Sequence, residues 1–219
     1  MIVVMQCAAR KKPDSGHFKD HDGKHVVFVA NPELAPPRVG VVYARPDDLT
    51  KEGLTWRDKL LAYNQKPEAN PLGFLPACEL YQNDVYRKIS ARVGYSRFFI
   101  LSAGWGLVSA SFLMPYYDIT FTAQAEAYKR RRKADHYNDF TMLSAGTREP
   151  VLFLGGKDYL PLFDRLTNEI LGPRIVFFNS ATVPQIRNGR AVRFETSTRT
   201  NWHYKCAEEL IDGNLDEKI

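Results

Sequence analysis

The chain has 219 residues, 44% of them hydrophobic and 25% charged. Those proportions exclude a disordered tail, a collagen-like fibre and a coiled-coil rod, and the length predicts one domain over 1–219. Thirty Lys and Arg against 25 Asp and Glu give a net charge of +5, which suits a phosphate-bearing partner such as DNA.

Residues 2–7, IVVMQC, predict a buried strand that stops before Pro13. Apolar residues precede the basic ones here, the reverse of a secretory signal, so a cytoplasmic location is expected. No run of about 18 apolar residues occurs anywhere, so no membrane span is expected. Residues 26–30 and 39–43 read as a hairpin or two edge strands within a polar, Pro-rich stretch. Residues 54–66 predict a helix capped by Thr55, and 76–93 a second one closed by Gly94. The clearest strand is 97–101. Residues 123–143 read as a long polar helix carrying Lys129, Arg130, Arg131, Arg132 and Lys133. A strand at 150–154, a helix at 158–171, a strand at 175–178 and a helix at 202–212 complete the chain. The segment IRNGRAVRF reads as a hairpin with Asn188-Gly189 at its tip. Alternating short strands and helices predict an α/β fold with a mostly parallel central sheet. Residues 14–75 read as an inserted β/loop region.

Open parallel sheets bind ligands beyond the carboxyl ends of their strands. Four predicted strands end in small or polar residues: Cys7, Ser102, Gly155 with Gly156, and Asn179. These should share one rim. After the 97–101 strand, Gly104 and Gly106 flank Trp105, and Tyr116, Tyr117 and Asp118 follow. Aromatic rings beside a carboxylate suit base stacking and chemistry at the sugar; the alternative is packing under a loop, with Asp118 as a cap. Arg187, Arg190, Arg193, Arg199 and Lys205 form a second basic region. The run at 129–133 and this ribbon are the candidate DNA-backbone contacts. His17, His21 and His25 have ligand-like spacing, but Gly16 and Asp22-Gly23 interrupt any helix there, so no metal is expected. Cys7 reads as a nucleophile or a small buried hydrophobe. The cysteines, Cys7, Cys78 and Cys206, are too scattered for a disulfide framework.

Several of these segments resemble one family. Cys7-Ala8-Ala9-Arg10-Lys11-Lys12 resembles the C-S-x-x-K start of the YaaA-like, uracil-DNA-glycosylase-like group of bacterial and phage proteins, with Ala8 in place of Ser. Ala77, Leu80 and Tyr81 resemble its A-x-x-L-Y segment. Residues 101–108 resemble its L-S-A-x-x-G-L-V, and Pro115-Tyr116-Tyr117-Asp118 its P-Y-D with one tyrosine inserted. Gly155, Gly156 and Tyr159 resemble a late G-G-x-x-Y. The resemblance implies an α/β fold and nucleobase chemistry on DNA. The expected activity is therefore hydrolysis of the N-glycosidic bond of a modified or damaged base, without a cofactor, in a setting such as phage defence. Asp118 would stabilise the sugar cation, while Asn179 and Lys11 would hold the departing base. Cys7, Ser102, Gly104, Trp105, Gly106, Tyr116, Tyr117, Gly155 and Gly156 would line the base pocket. A non-catalytic DNA-binding stress protein, and a nucleoside deoxyribosyltransferase or base-salvage hydrolase, are the alternatives.

Overall fold

The apolar run at the start of the chain becomes β1, Ile2–Gln6, four of whose five residues are buried. The computed structural model describes residues 1–198 and 200–219, so Arg199 of the expected basic ribbon lies outside the described residues. After β1 the chain forms β2, His25–Phe28, β3, Val41–Ala44, and α1, Trp56–Tyr63. Next come β4, Leu75–Pro76, α2, Val85–Val93, β5, Phe98–Ser102, and β6, Gly106–Ser109. They are followed by β7, Leu113–Met114, β8, Phe140–Thr141, β9, Val151–Leu154, and α3, Leu160–Leu166. The last elements are β10, Arg174–Phe178, β11, Gly189–Arg193, and α4, Trp202–Ile211.

The fold is α/β. Seven strands form the central sheet in the order β11-β10-β9-β1-β5-β6-β8. The first five in that order run parallel, β6 returns antiparallel to β5, and β8 lies parallel to β6. β5, β9 and β10 are entirely buried, as parallel strands covered on both faces must be. α2 and α4 pack on each other, touching β5 and β9 respectively, while α3 lies against β6.

Residues 14–75 carry the small β2–β3 sheet and α1. Thr55 caps α1 through a reciprocal capping box with Asp58. Arg57, buried in the first turn of α1, donates to the carbonyls of Gly104 and Trp105 at 3.0 and 2.9 Å and pairs with Asp47 at 2.6 Å. It thereby fastens this region to the turn between β5 and β6.

β2 and β3 pair in parallel as a sheet of two strands, so they are the two edge strands of the alternative reading and not a hairpin. Three local expectations fail. The 76–93 helix begins only at Val85, because Pro76 pairs with β7 as part of β4 and 77–84 is held as turns against the chain around β7 and the segment after β1. Asn188 does take the left-handed conformation (φ 52), yet the following strand β11 pairs in parallel with β10 rather than folding back as a hairpin. No helix forms over 123–143. Those residues make turns leading into β8, because the Arg131 side chain enters the core instead of the solvent.

Candidate active site

The parallel register places the ends of β1, β5, β9 and β10 on one edge of the sheet, so Cys7, Ser102, Gly155 and Asn179 share a rim. They do not share one open pocket. Cys7, Ser102 and Gly155 are buried. Asn179 lies two strands from Cys7, about 10 Å at normal strand spacing. Its amide donates to the Thr198 carbonyl at 3.2 Å, and it lines a cleft of about 280 Å³ with Gly156, Lys157 and Trp202. A separate, more polar cleft of about 520 Å³ opens along Ala8, Ala9, Arg10, Gln82, Asn201 and Tyr204.

Beneath the rim lies a cluster of proton-bearing groups. Beyond β1 the chain turns under residues 80–82. Lys12 N donates to the Leu80 carbonyl at 2.8 Å, and the Gln82 amide to the Lys11 carbonyl at 3.1 Å. This clamp turns Lys11 inward, leaving 5% of it exposed. Its Nζ stands 4.0 Å from the centroid of the Tyr117 ring, a cation–π approach, and makes no ion pair with a described acid. The Tyr117 hydroxyl meets that of Tyr81 at 2.8 Å, and Cys7 Sγ lies 3.2 Å from the Tyr159 hydroxyl. Burial pushes the Tyr81, Tyr117 and Tyr159 phenols well above their ordinary pKa, so they stay protonated. Burial also lowers the Lys11 pKa, against the opposing pull of Cys7 and Asp118.

Asp118, whose charge acts on Lys11, is held by its backbone N–H on the Phe28 carbonyl at 2.7 Å. Its carboxylate pairs with Lys129 at 2.9 Å, both side chains being about one quarter exposed (23% and 24%). Burial works against the Lys129 charge, but the contacts with Glu126 and Asp118 outweigh it and raise its pKa. Tyr116 is half-buried beside His17, whose ring stacks on His25 with centroids 5.0 Å apart. Burial, His25 and Arg38 together lower the His17 pKa.

Beside Cys7, Gln6 links three elements. Its Oε1 accepts from Gly156 N at 2.7 Å, its carbonyl from the Tyr86 hydroxyl at 2.8 Å, and its Nε2 faces His203 Nε2 at 3.2 Å. Because Oε1 is committed to Gly156, the amide must donate to His203, which requires a bare imidazole nitrogen there. Burial pushes the His203 pKa down to about 4, in agreement with that neutral ring.

Several expected base contacts belong to the core instead. Trp105 is fully buried, edge-on to Phe28 at 4.9 Å, and cannot stack on an entering base. Gly104 faces Ile119, where a Cβ would meet Cδ1 at 3.0 Å. Gly106 has φ 90 and lies so close to Phe140 that a Cβ would stand 2.5 Å from its carbonyl oxygen. Gly155 faces the Phe153 ring, where a Cβ would come within 2.3 Å. Ser102 is sealed and accepts from the N–H groups of Gly104 and Trp105, at 3.3 and 3.2 Å.

The cationic run is dispersed too. Arg131 is buried, with two bonds to Asp139 at 2.9 and 2.7 Å and one to the Ala103 carbonyl at 2.8 Å. Lys129 serves Asp118, Arg130 donates to the Ala123 carbonyl, and Lys133 pairs with Asp158 at 3.3 Å. Arg132 is exposed, as is Arg187. Arg190 donates to carbonyls of residues 218 and 219, and Arg193 to those of Ser180 and Ala181. Among the described residues, neither expected basic region therefore forms one continuous track. His21 turns to Asp22 at 3.1 Å, apart from the His17–His25 stack.

Tyr81, Tyr159, Gln6 and His203 also join this region, and none of them stands out by residue type. The two tyrosines had a signal, since each ends a segment with a family resemblance. Gln6 and His203 had none. A sequence profile for a family of unknown function (DUF6884) matches residues 71–175, which takes in Tyr81, Tyr117, Asp118 and Tyr159 but not Cys7 or Lys11. No curated protein and no solved structure matches the chain.

Proposed function

We propose that the protein is a hydrolase that cleaves the N-glycosidic bond of a modified or damaged base in DNA. One observation carries this reading: a partly exposed carboxylate, Asp118, acts on a buried layer of hydrogen-bond donors headed by Lys11 and Tyr117. Cleavage builds positive charge on the sugar and negative charge on the leaving base. A carboxylate stabilises the first and N–H or O–H donors the second. Lys129 positions Asp118 and leaves Lys11 to the base. Arg10 and Lys157, both exposed and each lining one rim cleft, offer contacts to flanking phosphates. The family resemblance of the segments bearing Lys11 and Asp118 supports the same chemistry.

The test is base release from DNA carrying damaged or modified bases, read by mass spectrometry, for the wild type and Asp118→Asn. The variant should lose about 100–1,000-fold in rate, the usual cost of one preorganised electrostatic contact. Its stability should change by less than about 1 kcal/mol, because the Asp118–Lys129 pair is partly exposed. A rate within about threefold of wild type would exclude Asp118 from the chemistry and favour a non-catalytic DNA-binding protein. A second reading, a hydrolase or transferase acting on free nucleosides, draws on the burial of Arg131 and the lack of a continuous basic track among the described residues. It predicts turnover of nucleosides with little effect of salt, whereas action on DNA weakens steeply as salt rises.

A further inference from the structure

We infer that Lys11 is a covalent catalyst, an amine that forms an imine with the C1′ aldehyde of an abasic deoxyribose and cuts the strand on its 3′ side. The inference rests on the reading that the site receives the sugar of a DNA nucleotide. It deepens that reading by adding a lyase step to base removal.

Three observations converge on the amine. Lys11 is only 5% exposed, and its Nζ faces the Tyr117 ring rather than a described acid. A lysine kept only for stability would meet a carboxylate at such depth, because an unpaired buried charge is costly. Asp118, the carboxylate that acts on the Lys11 charge, is instead engaged by Lys129 at 2.9 Å. Finally, the groups around the amine are the face of the Tyr117 ring at 4.0 Å, the phenols of Tyr117 and Tyr81 and the Cys7 thiol, none of which adds a fixed charge. Desolvation favours the neutral amine, the nucleophilic form.

The step balances without an oxidant or reductant. The amine nitrogen bonds to C1′, and the aldehyde oxygen leaves as water, taking one proton from the nitrogen and one from solvent. The resulting iminium acidifies C2′. Its proton passes to water while the C3′–O bond breaks, and the electron pair leaves with the phosphate. Water then hydrolyses the unsaturated imine and restores Lys11.

Borohydride reduces such an imine to a stable amine, so the experiment is reductive trapping on duplex DNA with a preformed abasic site. That substrate needs no knowledge of the target base. The expected result is a cross-linked species whose peptide map places the adduct on Lys11, together with strand cleavage when borohydride is omitted. Lys11→Met and Lys11→Arg should fall to the level of heat-denatured protein, and Lys12→Ala should retain the adduct. Thermal melts of all three variants separate loss of the amine from loss of fold. If the Lys11 variants are unfolded, the wild-type peptide map alone decides. An adduct elsewhere, no adduct on folded wild type, or full trapping by a folded Lys11→Arg would each overturn the inference. Base release by a protein that forms no adduct would overturn the lyase step and leave the glycosidic hydrolase standing. An adduct on Lys11 without base release from any tested DNA would do the reverse.

Discussion

Replacing Lys11 by methionine should separate activity from stability. The substitution keeps the length of the side chain and removes a polar head that meets no described acid. The loss of its cation–π contact with Tyr117 is offset by relief from desolvation. A denaturant titration should therefore show Lys11→Met as stable as the wild type, or more stable by up to about 2 kcal/mol, while base release is lost. A variant destabilised by several kcal/mol would make Lys11 a structural residue. Single residues of the site were unevenly legible in the sequence. Lys11 and Asp118 stand in segments whose residue types already suggest chemistry, and both take places in the cluster. Trp105 and Gly106 bore the same marks, yet their glycines and aromatic ring meet other parts of the protein rather than a ligand. The contact a glycine permits depends on the chain opposite, here Phe140, 34 positions further along in the sequence.

Among the elements, the segment between β7 and β8 shows what local pattern leaves out. Its residues are polar enough for a solvated helix, and no apolar period argues otherwise. Its course is decided by one buried ion pair, Arg131 with Asp139, whose carboxylate is 1% exposed and also meets Arg165. Arg131→Met should cost about 3–5 kcal/mol, because it strips Asp139 of its two-bond partner in the core. Arg132→Met, on an exposed neighbour, should stay within about 0.5 kcal/mol. Equal melting temperatures for the two would show that Arg131 does not anchor the segment. The strands were far more legible, since β1, β5, β9 and β10 are short runs of buried aliphatic and aromatic residues with no competing pattern. Pairing direction was not. Val26 and Val42 carry the same β propensity in a hairpin or a parallel pair, and only the path of the intervening loop selects between them.

At the scale of the whole molecule, His203 couples folding to pH. Its ring is neutral in the fold, with a pKa of about 4, but takes up a proton near the ordinary 6.5 once unfolded. Between these values the unfolded chain binds the extra proton. The stability held by neutral His203 is therefore full above about pH 6.5 and drains as pH falls toward 4, by at most about 3 kcal/mol. Unfolding titrations across that interval should show this loss in the wild type and a flatter profile in His203→Gln. Equal slopes would remove His203 as its source. The Arg57 clamp bears on how the molecule comes apart. Its guanidinium sits on α1 while two of its acceptors belong to the turn beyond β5, so the small sheet and the central one cannot separate without stranding buried carbonyls. The same clamp spans 47 residues of chain and closes a long loop, whose ends meet only after β5 and β6 have found one another. Residues 14–75 should thus gain their native order late, as a cover drawn over a sheet already formed, and lose it only when that sheet opens.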